Sequence, residues 1–348
     1  RMAMPELPAQ IDSVDQLDDV MTRPSPALIE CARGWSGVLL ILGVAGKMGP
    51  TMARLARRAI DAAGARVRVI GVARFSDPGV RRMLDTHGIE TIAADLLDDS
   101  ALTALPDAPR VIPLAAHKFG ATTDPGLTWA INPYLPARVA ERFRNSRIVT
   151  LSTGNIYPFW PADSAGPTEQ DPVGPVGEYG QSCLGRERLF EYMSRRHGTP
   201  VVIIRLNYAI DLRYGVLLDI ARKVRDGVPL NLGMGHVNVI WQGDANEAVL
   251  RSIDHAASPP LVLNVTGPAV LRVRDLAVEL GRRLARTPVF TGTEAPTALL
   301  SSAGRCVQLM GAPRVPLERM LDWVAHWVNI DGPTLAKPTH FQTRDGKF

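Results

Sequence analysis

A chain of 348 residues, 46% hydrophobic and 21% charged, can bury one large α/β core, alone or with a smaller lobe. Its net charge of +4 is small for that length, and its Lys and Arg residues are scattered, which argues against a nucleic-acid partner. The three cysteines, Cys31, Cys183 and Cys306, lack CxxC or Cys/His spacing, so neither a disulfide framework nor a metal site is expected and a reducing compartment fits. The longest apolar run, GVLLILGVAG at 37–46, is too short to cross a bilayer. The expectation is a cytoplasmic protein with no membrane partner.

The first 36 residues read as a helical extension. SVDQLDDVM sets Ser13 and Gln16 in a capping-box arrangement, RPSP breaks that helix, and PALIECARG predicts a second short one ended by Gly34. From Val38 short apolar runs alternate with helical stretches: VLLIL with MARLARRAIDAAG, RVRVIGV with PGVRRMLDTHG, then IETIAAD and RVIPLAA. WAINPYLPARVAERFRN predicts a helix, RIVTLST a strand, EYGQSCLGRERLFEYMSRRHG a long helix and PVVIIRLNY a strand. Strands apolar throughout and separated by helices predict a doubly wound parallel sheet, the α/β Rossmann arrangement. After Tyr208 the elements shorten and Pro- and Gly-bearing loops join them, down to the amphipathic VPLERMLDWVAHWV and a polar tail after Asn329.

Between the first strand and the helix after it, Gly43, Gly46 and Gly49 recur at three-residue spacing, with Lys47 and Met48 inside the loop. Such a site needs a tight turn, close backbone approach to a pyrophosphate and close helix–strand packing, and the helix amides then meet the negative charge. A Walker phosphate loop needs Ser or Thr directly after the lysine, and Met48 stands there. A dinucleotide-binding unit over 37–207 follows. Residues 208–348 make mainly a substrate lobe, with 155–178 contributing to it and 238–265 returning to the first unit's core.

The GxxGxxG spacing resembles the extended short-chain dehydrogenase/reductase family, the NAD(P)-dependent epimerase/dehydratase group, and the resemblance runs from about Val38 to about Leu280. It implies that Asp95 and Leu96 flank adenine, and that Leu114, Ala115 and Ala116 line the nicotinamide side. Asn132 matches the family's mid-helix asparagine, LSTGNIYP its strand-end Ser/Thr motif through Ser152 and Thr153, and Tyr179 its catalytic tyrosine. The second strand ends in Ala73-Arg74-Phe75-Ser76 without an acid, so Arg74, helped by Lys47, predicts NADP(H) favoured over NAD(H).

The family's catalytic lysine, four residues after the tyrosine, is here Cys183. A thiol cannot reach a ribose diol and gives the phenol no positive field; unassisted, a tyrosine near pKa 10 is a poor base at pH 7, and lowering it three units takes about 4 kcal/mol. Lys118 is the expected substitute, with His117 the second choice; Cys183 as a nucleophile has no base marked beside it. Asn155, Trp160, Arg213, His236 and Asn238, flanking strand ends, are the candidate contacts to a small-molecule substrate that is sugar-like or nucleotide-linked. Two functions stand: an epimerase, dehydratase or reductase, or an NADP(H)-binding sensor or scaffold without turnover. The family resemblance also implies a homodimer through helices 129–145 and 179–197.

Overall fold

The run GVLLIL forms the first strand because each of its side chains finds a buried partner on one face of the sheet or the other. In the computed structural model, which describes residues 4–348, seven strands form one sheet. They are β1 (Gly37–Leu42), β2 (Val67–Ala73), β3 (Glu90–Ala93), β4 (Arg110–Pro113), β5 (Arg147–Thr153), β6 (Val201–Leu206) and β7 (Leu261–Val265). Their spatial order is β7-β6-β5-β4-β1-β2-β3, and every neighbouring pair is parallel. The chain winds from the middle to one edge and then to the other, the predicted doubly wound topology.

The helices are α1 (Val14–Met21), α2 (Pro26–Arg33), α3 (Gly49–Ala63), α4 (Pro78–Thr86), α5 (Asp99–Ala104), α6 (Pro125–Trp129), α7 (Leu135–Arg142) and α8 (Gly177–His197). Then come α9 (Val216–Asp226), α10 (Gln242–Ser252), α11 (Val273–Leu284), α12 (Gly304–Met310) and α13 (Leu317–Asn329). Helices α2, α3 and α10 cover one face of the sheet, and the other face is packed by Val139, Phe143 and Phe190 of the α7–α8 side. A separate core joins α9, α11 and α13 around Trp241, Trp323 and Trp327.

The N-terminal extension is no loose preface. The Ser13 hydroxyl accepts from the Gln16 amide at 3.1 Å, while the Gln16 side chain accepts from the Asp12 amide at 2.8 Å. Leu17, Val20 and Met21 of α1 enter the second core, whereas Leu28 and Ala32 of α2 enter the first.

The single helix expected over 129–145 is interrupted. A π turn, Ala130–Tyr134, separates α6 from α7. Pro133 inside it has no N–H to give the ladder, and such turns let a side chain leave helical register. Asn132 is that side chain. Among the described residues no helix is long and apolar enough to cross a membrane, and no group of three or more His, Cys, Asp or Glu is arranged to hold a metal ion.

Candidate functional site

The glycine loop leaves β1 through Gly43, whose φ of +77° suits glycine. A Cβ there would lie 2.7 Å from the Ala115 amide nitrogen, and one on Gly49 would lie 2.0 Å from the Val44 carbonyl. These two glycines serve the turn and the seating of α3. Gly46 differs: a Cβ on it would meet only the Gly43 carbonyl, at 3.5 Å. Met48 makes no side-chain cap to α3, so the first amides of that helix are open to a ligand. Asn207, only 3% exposed, lines the same cavity with its Nδ2 unpartnered among the described residues. The arrangement fits an anionic, hydrogen-bonding ligand lying over Gly46.

Lys47 turns away from that ligand's far end. Its ammonium donates to the Ala209 carbonyl at 2.9 Å and lies 4.0 Å from the centre of the Tyr214 ring. Burial draws its pKa down to about 7 against the opposing charge of Asp211. It reaches the segment after β6 instead of standing beside Arg74, which is exposed at the end of β2.

A cavity of about 310 Å³ joins the loop to the start of α8, where Tyr179, Thr153 and Lys118 meet. The helix begins at Gly177 and presses on the segment after β5: a Cβ on Gly180 would lie 2.8 Å from the Asn155 carbonyl. Burial and the neighbouring Cys183 push the Tyr179 phenol well above its usual pKa, and Arg186 and the Thr153 hydroxyl oppose the rise. Burial likewise raises the Cys183 thiol, so it is a neutral, inert group beside the phenol. The Lys118 ammonium lies 5.3 Å from the centre of the Tyr179 ring, and burial lowers its pKa to about 8.

Asn132 braces the floor. Its side-chain oxygen accepts from the His117 amide at 2.8 Å, and its nitrogen donates to the His117 carbonyl at 2.8 Å and the Ser182 hydroxyl at 2.9 Å. The Ser152 hydroxyl is likewise engaged, donating to the buried Glu187 carboxylate, which Arg205 pairs at 2.8 Å.

The polar tail packs beside this cavity. Phe348 meets the Tyr179 ring edge-on at 5.9 Å between centres and lies 4.3 Å from the Lys118 ammonium. Gly177 and Gly346 touch backbone to backbone, since a Cβ on Gly177 would lie 2.5 Å from the Gly346 carbonyl. Thr339, which also lines the cavity, donates its amide to Asp219 at 2.8 Å, and Arg344 donates to the Thr297 carbonyl at 2.9 Å.

Residues 39–260 match the NAD dependent epimerase/dehydratase family. The chain belongs to that family. No curated protein matches it significantly. Among solved structures, the UDP-glucose 4-epimerase of Thermus thermophilus in complex with NAD is 18% identical with a TM-score of 0.67, covering 83% of this chain and 98% of that one. The UDP-glucuronic acid 4-epimerase of Bacillus cereus, in complex with UDP-glucuronic acid and NAD, is 16% identical at 0.68, covering 84% and 99%. The dTDP-glucose 4,6-dehydratase of Bacillus anthracis in complex with NAD is 14% identical at 0.71, covering 85% and 97%. At such identities the likeness is one of fold.

Within this epimerase/dehydratase chain the predicted residues divide. Gly43, Gly46, Lys47, Met48, Gly49, Leu114, Ala116, Lys118, Ser152, Thr153, Asn155 and Tyr179 all line the one cavity, and Ala115 lies directly beneath Gly43. Asp95 is exposed, holding the Leu97 amide at 3.0 Å, and Leu96 is buried in the core beyond β3. Four substrate candidates lie elsewhere. Trp160 pairs as a short strand with Ala298, and His236 pairs with Arg272 beside a different, open groove. Arg213 is held by Asp211 at 2.9 Å and Asp18 at 3.1 Å. Asn238 ties Ala269 to Ser301 at 3.0 Å on each side. Arg213 and Asn238 are held by side-chain partners, Trp160 and His236 sit in short backbone pairings, and none of the four lines the cavity. Among the lining residues that the sequence did not single out are Asn207, Tyr208, Tyr214, Arg186 and Thr339. The end of β6 could have signalled the first two by analogy with the other strand ends, but nothing local marks Arg186 or the tail.

Proposed function

We propose that this family member is an NAD(P)-dependent epimerase, dehydratase or reductase of a hydroxyl-bearing sugar-like or nucleotide-linked substrate, with Tyr179 as acid/base. The observation carrying this reading is that Tyr179 and Thr153 line one cavity with the open face of Gly46. When bound, the nicotinamide supplies the hydride acceptor or donor. The α3 amides and Gly46 would hold the dinucleotide's phosphate, and Leu114 and Ala116 would line the side where the ring binds. Thr153 orients the substrate oxygen by hydrogen bonding, while Tyr179 takes its proton as the phenolate or returns one as the phenol. The hydroxyl of Thr153 also accepts from the Asn155 amide at 3.1 Å, which fixes its rotamer for that task. Lys118, its ammonium 5.3 Å from the ring centre and its pKa lowered by burial to about 8, is a second titratable group beside the phenol.

Arg74, exposed with no acid beside it at the end of β2, favours NADP(H) over NAD(H) in this reading. Trp129 and Tyr134, 41% and 54% exposed around the π turn, and Tyr192 on α8 support a homodimer through that face. The free cysteines fit a cytoplasmic setting.

A second reading, a dinucleotide-binding sensor without turnover, is favoured by one observation: burial and Cys183 both raise the Tyr179 phenol. Calorimetry with each pyridine nucleotide, then turnover with sugars, keto-sugars and sugar nucleotides, separates the two. The enzyme reading expects binding, turnover, and a loss of about 10²- to 10⁴-fold in kcat for Tyr179→Phe. Binding without turnover selects the sensor, and turnover indifferent to Tyr179→Phe defeats the mechanism.

A further inference from the structure

Arg186 is 3% exposed, yet it lines the cavity that holds Tyr179. Its Nε donates to the Asn132 carbonyl at 2.8 Å and its Nη1 to the Leu151 carbonyl at 2.6 Å. Its Nη2 donates to the Asn132 side-chain oxygen at 2.9 Å and reaches the Ala115 carbonyl at 3.4 Å. All of these acceptors are neutral. Among the described residues no carboxylate pairs with it, because the adjacent Glu187 is taken by Arg205 at 2.8 Å and by Ser152. A buried guanidinium without a counter-ion is costly, and such charges persist where they serve a site. Five N–H donors set against four bonds also leave one Nη1 donor unused.

Position on the helix points the same way. Tyr179, Cys183 and Arg186 stand at i, i+4 and i+7 of α8, one face of the helix. The residue at i+4 is too short to bring a charge to the phenol, and the longer side chain one turn further on lines the same cavity as the phenol. The groups facing the phenol from other elements are Thr153 at the end of β5, Lys118 after β4, and Phe348 of the tail, with Lys47 across the cavity. Both lysines are buried down to about 8 and about 7, so they lose their charge before a tyrosine titrates. A guanidinium does not.

We propose that Arg186 is the positioning residue that supplies, from i+7, the fixed positive charge which the lysine missing at position 183 would have supplied to Tyr179. The proposal rests on Tyr179 being the acid/base, and it is tested first without cofactor or turnover. Ultraviolet titration of phenolate, as the difference between protein with and without Tyr179→Phe, isolates this one phenol. Arg186→Gln, which keeps donors for the carbonyls, should raise its midpoint by about one pH unit or more, a tenfold loss of phenolate. Adding Cys183→Lys to Arg186→Gln should return the midpoint toward wild type, and Lys118→Met alone should move it less than Arg186→Gln does.

If Arg186→Gln does not fold, Arg186→Lys decides: its charge fades as the phenol titrates, so a smaller upward shift is expected and an unchanged midpoint overturns the proposal. It is overturned equally by a wild-type phenol that stays protonated up to alkaline unfolding, or by Lys118→Met producing the larger shift. In turnover, the acid limb of the kcat profile should move upward with the phenol in Arg186→Gln. Full turnover in Tyr179→Phe would defeat the acid/base reading while leaving the titration result standing.

Discussion

The glycine cradle and the phenol pocket lie at the carboxyl ends of the central strands of one sheet, and they are built in opposite ways. The cradle is contiguous, seven residues from Gly43 to Gly49, and its geometry is set by its own backbone and two close contacts, with Ala115 and Val44. The pocket gathers Lys118, Thr153, Tyr179, Arg186, Asn207, Tyr214 and Thr339 from separate elements and from a tail without secondary structure. A local device fails when one atom is added to it. A dispersed one fails when the supports beneath it shift.

The sharpest break of the dispersed side is predicted at Glu187. It is fully buried and paired with Arg205, so Glu187→Ala leaves an unpaired guanidinium and should cost about 3–5 kcal/mol in denaturant unfolding. Next comes the cradle. Gly49→Ala puts a Cβ against the Val44 carbonyl and should cost about 1–3 kcal/mol, with dinucleotide binding lost in calorimetry.

Of smaller effect is the pH dependence contributed by Lys118. Its pKa falls from 10.5 unfolded to about 8 folded, so between those values the unfolded chain binds more protons and stability rises with pH. Below about pH 8 the buried charge weighs fully against folding. Lys118→Met should flatten this rise and add about 1–3 kcal/mol near neutrality, read from unfolding curves at several pH values. The smallest effect is at Arg74, where Arg74→Asp should shift preference from NADP(H) toward NAD(H) by about 1–3 kcal/mol in paired titrations; unchanged selectivity refutes that role.

The same contrast explains what the sequence disclosed. The seven strands were legible as apolar runs, and the cradle as spaced glycines between strand and helix, because neighbours along the chain decide both. Tyr179 was legible because the family pattern fixes its place at the start of a helix. Arg213, Asn238 and His236 misled because a polar residue near a strand end can serve a ligand or a nearby partner. Asp211 and Asp18 took the first and Ala269 and Ser301 the second, while backbone pairing with the Arg272 strand sets His236 beside a different groove. Lys47 looked like a phosphate cation, but its length carries it across to Ala209. Arg186 was invisible for a different reason. Its significance depends on carbonyls at 115, 132 and 151 and on Arg205 having claimed Glu187.

The tail described above makes coverage and protonation a single variable. Phe348 sheathes the Lys118 ammonium, so a displacement of residues 340–348 that let water reach Lys118 would raise its proton affinity. Between about pH 8 and 10.5 such opening takes up a proton, and by linkage alkali holds the flap down while acid eases it open. How readily a guest enters would then depend on the same hydrogen-ion activity that governs the phenol.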